Sequence, residues 1–410
     1  MEKKKKKLGL LPKLLIAIVL GLIVGFACQK FGEAGKLIIQ IGATYNDIFG
    51  NFLNFCIPLI IIGFVVPGIA DLGSGAGKTL AATTGVAYLS TIIAGSLAYI
   101  VDVTIFPSLV HADMFMTNAQ NAEETALSGL FTIEMPPIMG VMEALLISFI
   151  LGLGLTFIKD DTLKVAIKDF SEIVTKLVGG VIIPLLPIHV YGIFAKLTYA
   201  GTIVELMTSF IKVFVVILIL HCVILIFQYT VAGTAAKKNP FSLIKNMIPA
   251  YTTAIGTQSS AATIPVNKEA CNSIGVPEDI SDLVLPMGCT MHMDGSVLSS
   301  ITKIAFLYGV FGMDFSGAGT YGMAIVVAIL SAFVLSGAPG GGLVGEMLIV
   351  SMFNFPAEAF PIIATLGFLF DPAATCLNAS GDTIASMLVT RLVEGKEWLA
   401  KAAAAKKSQV

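Results

Sequence analysis

The chain has 410 residues, 56% of them hydrophobic and only 13% charged, with a formal net charge of −2. So little charge excludes an ordinary water-soluble domain and points to a polytopic, all-α membrane protein. A near-neutral balance gives no reason to expect a nucleic-acid partner.

The chain opens with a lysine run, Lys3 to Lys7, ahead of the first apolar stretch. By the positive-inside rule that run stays in the cytoplasm. Residues 8–28 are long enough to span and no small-residue cleavage site follows, so they read as a first span rather than a removed leader. Further apolar segments fall at 46–71, 79–107, 137–158, 173–198 and 203–233. The lysine-rich connectors at 159–164 and 237–240 and the tail at 396–401 fit the cytoplasmic side, and the polar, acidic stretch 111–124 fits the outside. Both termini in the cytoplasm require an even number of spans, and eight fits this distribution. The six cysteines (28, 56, 222, 271, 289 and 376) are scattered, with no Cys-x-x-Cys pair, and read as small core residues rather than disulfides or metal ligands.

From residue 239 onward the apolar segments are shorter and interrupted. Residues 256–265 are too polar for a lipid-facing helix, and 336–342 are too rich in glycine to stay helical. Each lies between apolar arms too short to span comfortably, the pattern of a helical hairpin that enters the membrane and turns back. Irregular backbone at that depth is tolerated where it is buried in protein or lines a cavity. Two interrupted segments in corresponding positions are the trace of an inverted repeat in a secondary transporter. Between them, residues 285–296 carry Pro286, Gly288 and Gly295, which predict a helix that unwinds midway and frees carbonyl oxygens for a hard cation such as Na⁺. Asp294 supplies charge there, and Thr290 or Ser296 a hydroxyl. His292 has three open roles: packing, hydrogen bonding, or titration near neutrality.

The last apolar segment, 362–393, holds Asp371, Thr375, Asn378 and Asp382, spaced 4, 3 and 4 apart. That is helical periodicity, so all four share one stripe. Two carboxylates at membrane depth are costly unless they face a cavity, a cation or a polar ligand.

Four motifs carry a family resemblance. Ser259-Ser-Ala-Ala-Thr-Ile-Pro-Val266 resembles the serine-rich first hairpin tip of the dicarboxylate/amino-acid:cation symporters, the glutamate transporter homologues. Met291-His-Met-Asp-Gly-Ser296 is similar to their Asn-Met-Asp-Gly-Thr motif, and Gly337-Ala-Pro-Gly-Gly-Gly342 to their second hairpin tip. Asp371 to Asp382 resembles their last-helix motif, Asp-x-x-Arg-Thr-x-x-Asn-x-x-Gly-Asp. The order and spacing of the four hold across nearly the whole chain.

The resemblance implies eight transmembrane helices, two re-entrant hairpins, inverted repeats, a homotrimer and an elevator mechanism. A scaffold (1–78 and 108–202) stays fixed. A transport domain (79–107 and 203–396) moves, and 397–410 form a cytoplasmic tail. Asp371 then holds a substrate ammonium, with Thr375 and Asn378 on its polar groups and Thr290 and Ala374 bordering it. Backbone at Ser259, Ser260, Gly337, Ala338, Pro339 and Gly340 holds its carboxylate. Asp382 with carbonyls at Gly288, His292 and Asn378 forms one sodium site. Asp294 with Ser90, Thr91 and the main chain at Met293 forms another, and carbonyls near Thr290 and Ala332 a third. Na⁺ is thus the coupling ion, with no prosthetic group.

Three departures bear on the substrate. The family's motif arginine is Ala374, which leaves apolar room for a short, uncharged side chain; the asparagine of the third-last motif is His292; and Gln258 stands where many prokaryotic members have arginine. The leading expectation is therefore a cell-membrane symporter coupling Na⁺ entry to uptake of a small neutral amino acid. The alternative is a Na⁺- or H⁺-coupled carrier of a dicarboxylate or acidic amino acid, with Lys303 or Gln258 in the arginine's place. A hydrolase built on Ser259 or Ser260 with His292 leaves Asp382, Asn378 and the second hairpin unexplained, and a passive channel fits no better.

Overall fold

The computed structural model is helical throughout, with no strand among the described residues. These are 10–72, 78–110, 127–201, 203–336, 341–356 and 358–399. The lysine run at 3–7, the expected outer stretch 111–124 and the expected contacts at Gly337, Ala338, Pro339 and Gly340 lie outside them.

The first half consists of Leu10–Cys28 (α1), Gly32–Leu72 (α2), Lys78–Leu109 (α3), Val141–Phe157 (α4), Thr162–Leu177 (α5), Ile183–Tyr199 (α6) and Ile203–Ala236 (α7). Helix α2 begins well before the expected residue 46, because Leu37, Ile38, Ile39 and Ile41 continue the apolar run backwards. The expected span 173–198 likewise starts earlier. Helix α5 is amphipathic, and it passes without a break into α6 through a π turn, Val178–Ile182, at the Gly179-Gly180 pair. Glycine lowers the cost of such a wide turn. Among the described residues, five continuous helical stretches are long and apolar enough to cross a membrane: Gly32–Ala70, Lys78–Leu109, Thr162–Tyr199, Leu206–Ala236 and Ala359–Glu394; shorter apolar helices include Pro12–Cys28 and Glu143–Phe157. Ile16, Ile23, Ile150, Phe157 and Ile211 point outward and exposed. An apolar exterior of this kind is stable in lipid rather than in water.

The second half holds Pro240–Asn246 (α8), Ile248–Thr257 (α9), Ser260–Ile274 (α10), Glu278–Met291 (α11), Asp294–Val310 (α12), Ala318–Ser336 (α13), Gly341–Met352 (α14) and Ala359–Glu394 (α15). Both interrupted segments are paired helices, α9 with α10 and α13 with α14, each pair packed arm against arm. The first turns back at Gln258, whose φ of 52° is left-handed. At the second, a side chain on Gly345 would collide with Ser331 of the opposite arm. Gly345→Val is therefore expected to splay that hairpin and lower initial uptake rates by about tenfold or more, with the elution profile in detergent unchanged. Equal rates would show that the close approach is dispensable.

Two packing groups are evident. Helices α1, α2, α4, α5 and α6 pack on one another, while α3, α7 and the elements from α9 onward gather around α15. Helix α15 is buried over most of its length although it carries Asp371, Asn378 and Asp382.

Candidate substrate and sodium site

The site is built on one face of α15. Gly367, Asp371, Ala374, Asn378, Gly381 and Asp382 fall on a single stripe.

At Asp382, Gly288 of α11 comes so close that any Cβ there would collide with Oδ1. The carboxylate is fully buried, and neither oxygen has a hydrogen-bond partner among the described residues. A buried anion left that way costs several kcal/mol unless a cation accompanies it, and hard cations bind oxygen. Gly288→Ala is expected to raise the Na⁺ concentration for half-maximal uptake by about tenfold or more, read from a Na⁺ titration in proteoliposomes. An unaltered Na⁺ dependence would count against Asp382 as a cation ligand.

The chain breaks at His292 and Met293, whose φ/ψ pairs of −94°/83° and −116°/42° interrupt the helix between α11 and α12. The break falls between Gly288 and Gly295, inside the expected segment 285–296. Pro286 and Gly288 lie inside α11, and both glycines also permit close approach. Gly288 admits Asp382, and Gly295 lets the start of α12 touch the main chain of Ala374. The carbonyls of Gly288 and Met293 accept from His292 N and Val297 N, both at 2.8 Å. Each retains a second lone pair.

Asp294 is fully buried and well supplied with donors: Ser90 Oγ, Thr91 Oγ1 at 2.7 Å, and Gln228 Nε2 of α7. Ser90 and Thr91 are thus brought to Asp294 as expected. Gln228 is the addition that sequence reading missed. Its signal was available as an amide within the strongly apolar span Leu206–Ala236. His292 sits between the carboxylates, Nε2 3.6 Å from Asp294 Oδ2 and Nδ1 3.7 Å from Asp382 Oδ1. Both separations are too long for hydrogen bonds. Its ring packs against Gly381. A cavity of about 10 Å³ adjoins these groups, lined by Thr91, Thr290, Met293 and Ala332 among others. That is room for one water-sized particle.

Nearer the start of α15, Thr375 Oγ1 donates to Asp371 Oδ1 at 3.2 Å. The Asn378 side chain is committed to α12: its Oδ1 accepts from Gly295 N at 2.8 Å, and its Nδ2 donates to Ser296 Oγ at 2.8 Å. It caps the helix start that carries Asp294. Ala374 is buried, and its main chain lies against Gly295 at the start of α12. Ser259 accepts from Ala262 N as the N-cap of α10, and Ser260 opens that helix. The hairpin is tied to α15 by Asn267 Nδ2, which donates to the Ala379 carbonyl at 2.7 Å. Ser259 is thus engaged in capping, while His292 is engaged with two carboxylates on other helices, which is not the serine–histidine pairing of a hydrolase.

An open hairpin helix start, a carboxylate–hydroxyl pair and an unpartnered buried carboxylate beside a helix break suit a carrier of small solutes and cations. A model of the sodium:dicarboxylate symporter family matches residues 10–392. The chain belongs to this family. As a sodium:dicarboxylate symporter family member it is a multi-pass membrane transporter of small molecules rather than an enzyme, and Na⁺ is its coupling ion. The buried oxygen-rich surroundings of Asp382 and Asp294 fit that ion's preference for oxygen. Among the described residues no cluster of three His, Cys, Asp or Glu side chains offers a transition-metal centre.

Proposed function

We propose that this symporter couples Na⁺ entry to uptake of a small neutral amino acid. The observation that carries the reading is Asp371: it holds a carboxylate beside Thr375, and the position three residues on is alanine rather than a basic residue. Asp371 takes the ammonium group, Thr375 a neighbouring polar group, and the start of α10 at Ser259 and Ser260 takes the carboxylate, since a helix N-terminus favours an anion. The tip at 337–340 closes over the ligand. One Na⁺ lies at Asp382 with carbonyls near Gly288, His292 and Asn378, a second at Asp294 with Ser90, Thr91 and Met293, and a third near Thr290 and Ala332.

The protein works as an elevator in a homotrimer of the cell membrane. Eight spans leave both termini cytoplasmic. The group α1, α2, α4, α5 and α6 is the fixed scaffold; α3 and α7 to α15 form the moving domain. The packing of those two groups, each tighter within itself than across, supports the division. The family description favours a second reading, a dicarboxylate or acidic amino acid. A panel of radiolabelled neutral amino acids, acidic amino acids and dicarboxylates in proteoliposomes, with and without a Na⁺ gradient, separates the two. Uptake of alanine or serine over aspartate and succinate is the expected result.

A further inference from the structure

One buried ion pair has no part in the transport reading. Lys303 Nζ of α12 lies 2.9 Å from Glu346 Oε1 of α14, with both side chains almost fully buried. The Glu346 carboxylate rests directly on Gly367 of α15, where any side chain would collide with it. Gly367 stands four residues before Asp371 on the same stripe, about 6 Å along the helix axis. Asp371 lies within electrostatic reach of both members of the pair, Lys303 and Glu346. Three helices thus bring one cation and two carboxylates together beside the proposed ammonium site. Arg391, the chain's single arginine, lies twenty residues further along α15, about 30 Å away.

We propose that Glu346 is a specificity-determining residue: its carboxylate occupies Lys303 in the place where the second carboxylate of an acidic ligand would bind. The spacing suits this. A ligand whose ammonium sits at Asp371 would extend a distal carboxylate one helical turn toward Gly367, and there it meets Glu346, a like charge already holding the available cation. Such a device rejects acidic ligands in two ways, by repulsion and by leaving their carboxylate without a donor. It also accounts for Gly367, since only a residue without a side chain leaves room for the glutamate against α15. The inference rests on Asp371 binding an ammonium group and on a neutral substrate.

Competition by L-aspartate and by L-alanine for uptake in proteoliposomes tests it in wild type, Glu346→Gln, and the double variant Lys303→Met/Glu346→Gln. In the wild type aspartate should compete poorly. Glu346→Gln should improve aspartate competition relative to alanine by about tenfold or more, a gain limited because lysine offers a point charge rather than a planar fork. The double variant removes the pair as a unit, which buried pairs tolerate, and should lose that gain. Should Glu346→Gln give no folded protein, Glu346→Ser carries the same test, because it removes the carboxylate and opens room at Lys303. A neutral-selective wild type whose preference does not move in either variant overturns the role of Glu346 and leaves the substrate reading standing. A gain that persists in the double variant also overturns it, because Lys303 is then not the receiving group. Tight aspartate competition in the wild type overturns the substrate reading and the inference together.

Discussion

Asp382→Asn is expected to abolish Na⁺-driven uptake while leaving a folded protein. Both Asp382 oxygens are buried without hydrogen-bond partners among the described residues, and Gly288 and His292 crowd the same carboxylate. Removing one partner of a buried pair costs about 3–5 kcal/mol, which applied to a bound cation is a loss of roughly 10²-fold or more in affinity. Asparagine keeps the shape and discards the charge, so the protein without Na⁺ should be at least as stable as the wild type. A thermal-shift experiment separates the two effects. Wild-type protein should gain stability with rising Na⁺, by about 2.7 kcal/mol at a hundred times the dissociation constant. The variant should show little of that gain. Equal uptake in choline and sodium buffers, or an unchanged Na⁺ stabilisation in Asp382→Asn, would refute the assignment.

Selection for an ammonium group is the second large effect. Asp371 is half-buried, with Thr375 as its hydroxyl donor, so a ligand lacking the ammonium leaves the carboxylate with a reduced set of partners. The same range of about 3–5 kcal/mol for an unmatched buried charge applies. Alanine or serine should therefore outcompete the corresponding 2-hydroxy acids by roughly 10²-fold or more. Asp371→Asn should lose amino-acid uptake to a similar extent, without loss of Na⁺-dependent stabilisation. Succinate competing as well as serine against the wild type would reverse the choice and favour the dicarboxylate reading.

Much of this was legible in the chain itself, for reasons of periodicity. A 4-3-4 spacing on a helix places Asp371, Thr375, Asn378 and Asp382 on one stripe, and apolar arms around polar or glycine-rich tips predict helix pairs. The apolar spans, the two hairpins, the break before Asp294 and the approach of Ser90 and Thr91 to it all follow from local pattern or from the motif resemblance.

What the tertiary structure decided concerns partners, because spacing along one helix says nothing about which other helix lies across from it. Pro286, Gly288 and Gly295 put the unwinding within 285–296, and the tertiary structure fixes it at His292 and Met293. Gly288 is needed for contact with Asp382, and a contact of that kind has no signature in its own segment. Asn378 could face a ligand or a neighbouring helix; packing committed its side chain to the N–H groups at the start of α12. Gln228 looked like a stray amide until α7 was set against Asp294. Lys303 and Glu346 are 43 residues apart, and only the packing of α12, α14 and α15 makes them an ion pair above Asp371. Helical periodicity is a property of one segment, whereas the pairing of buried charges depends on which segments meet.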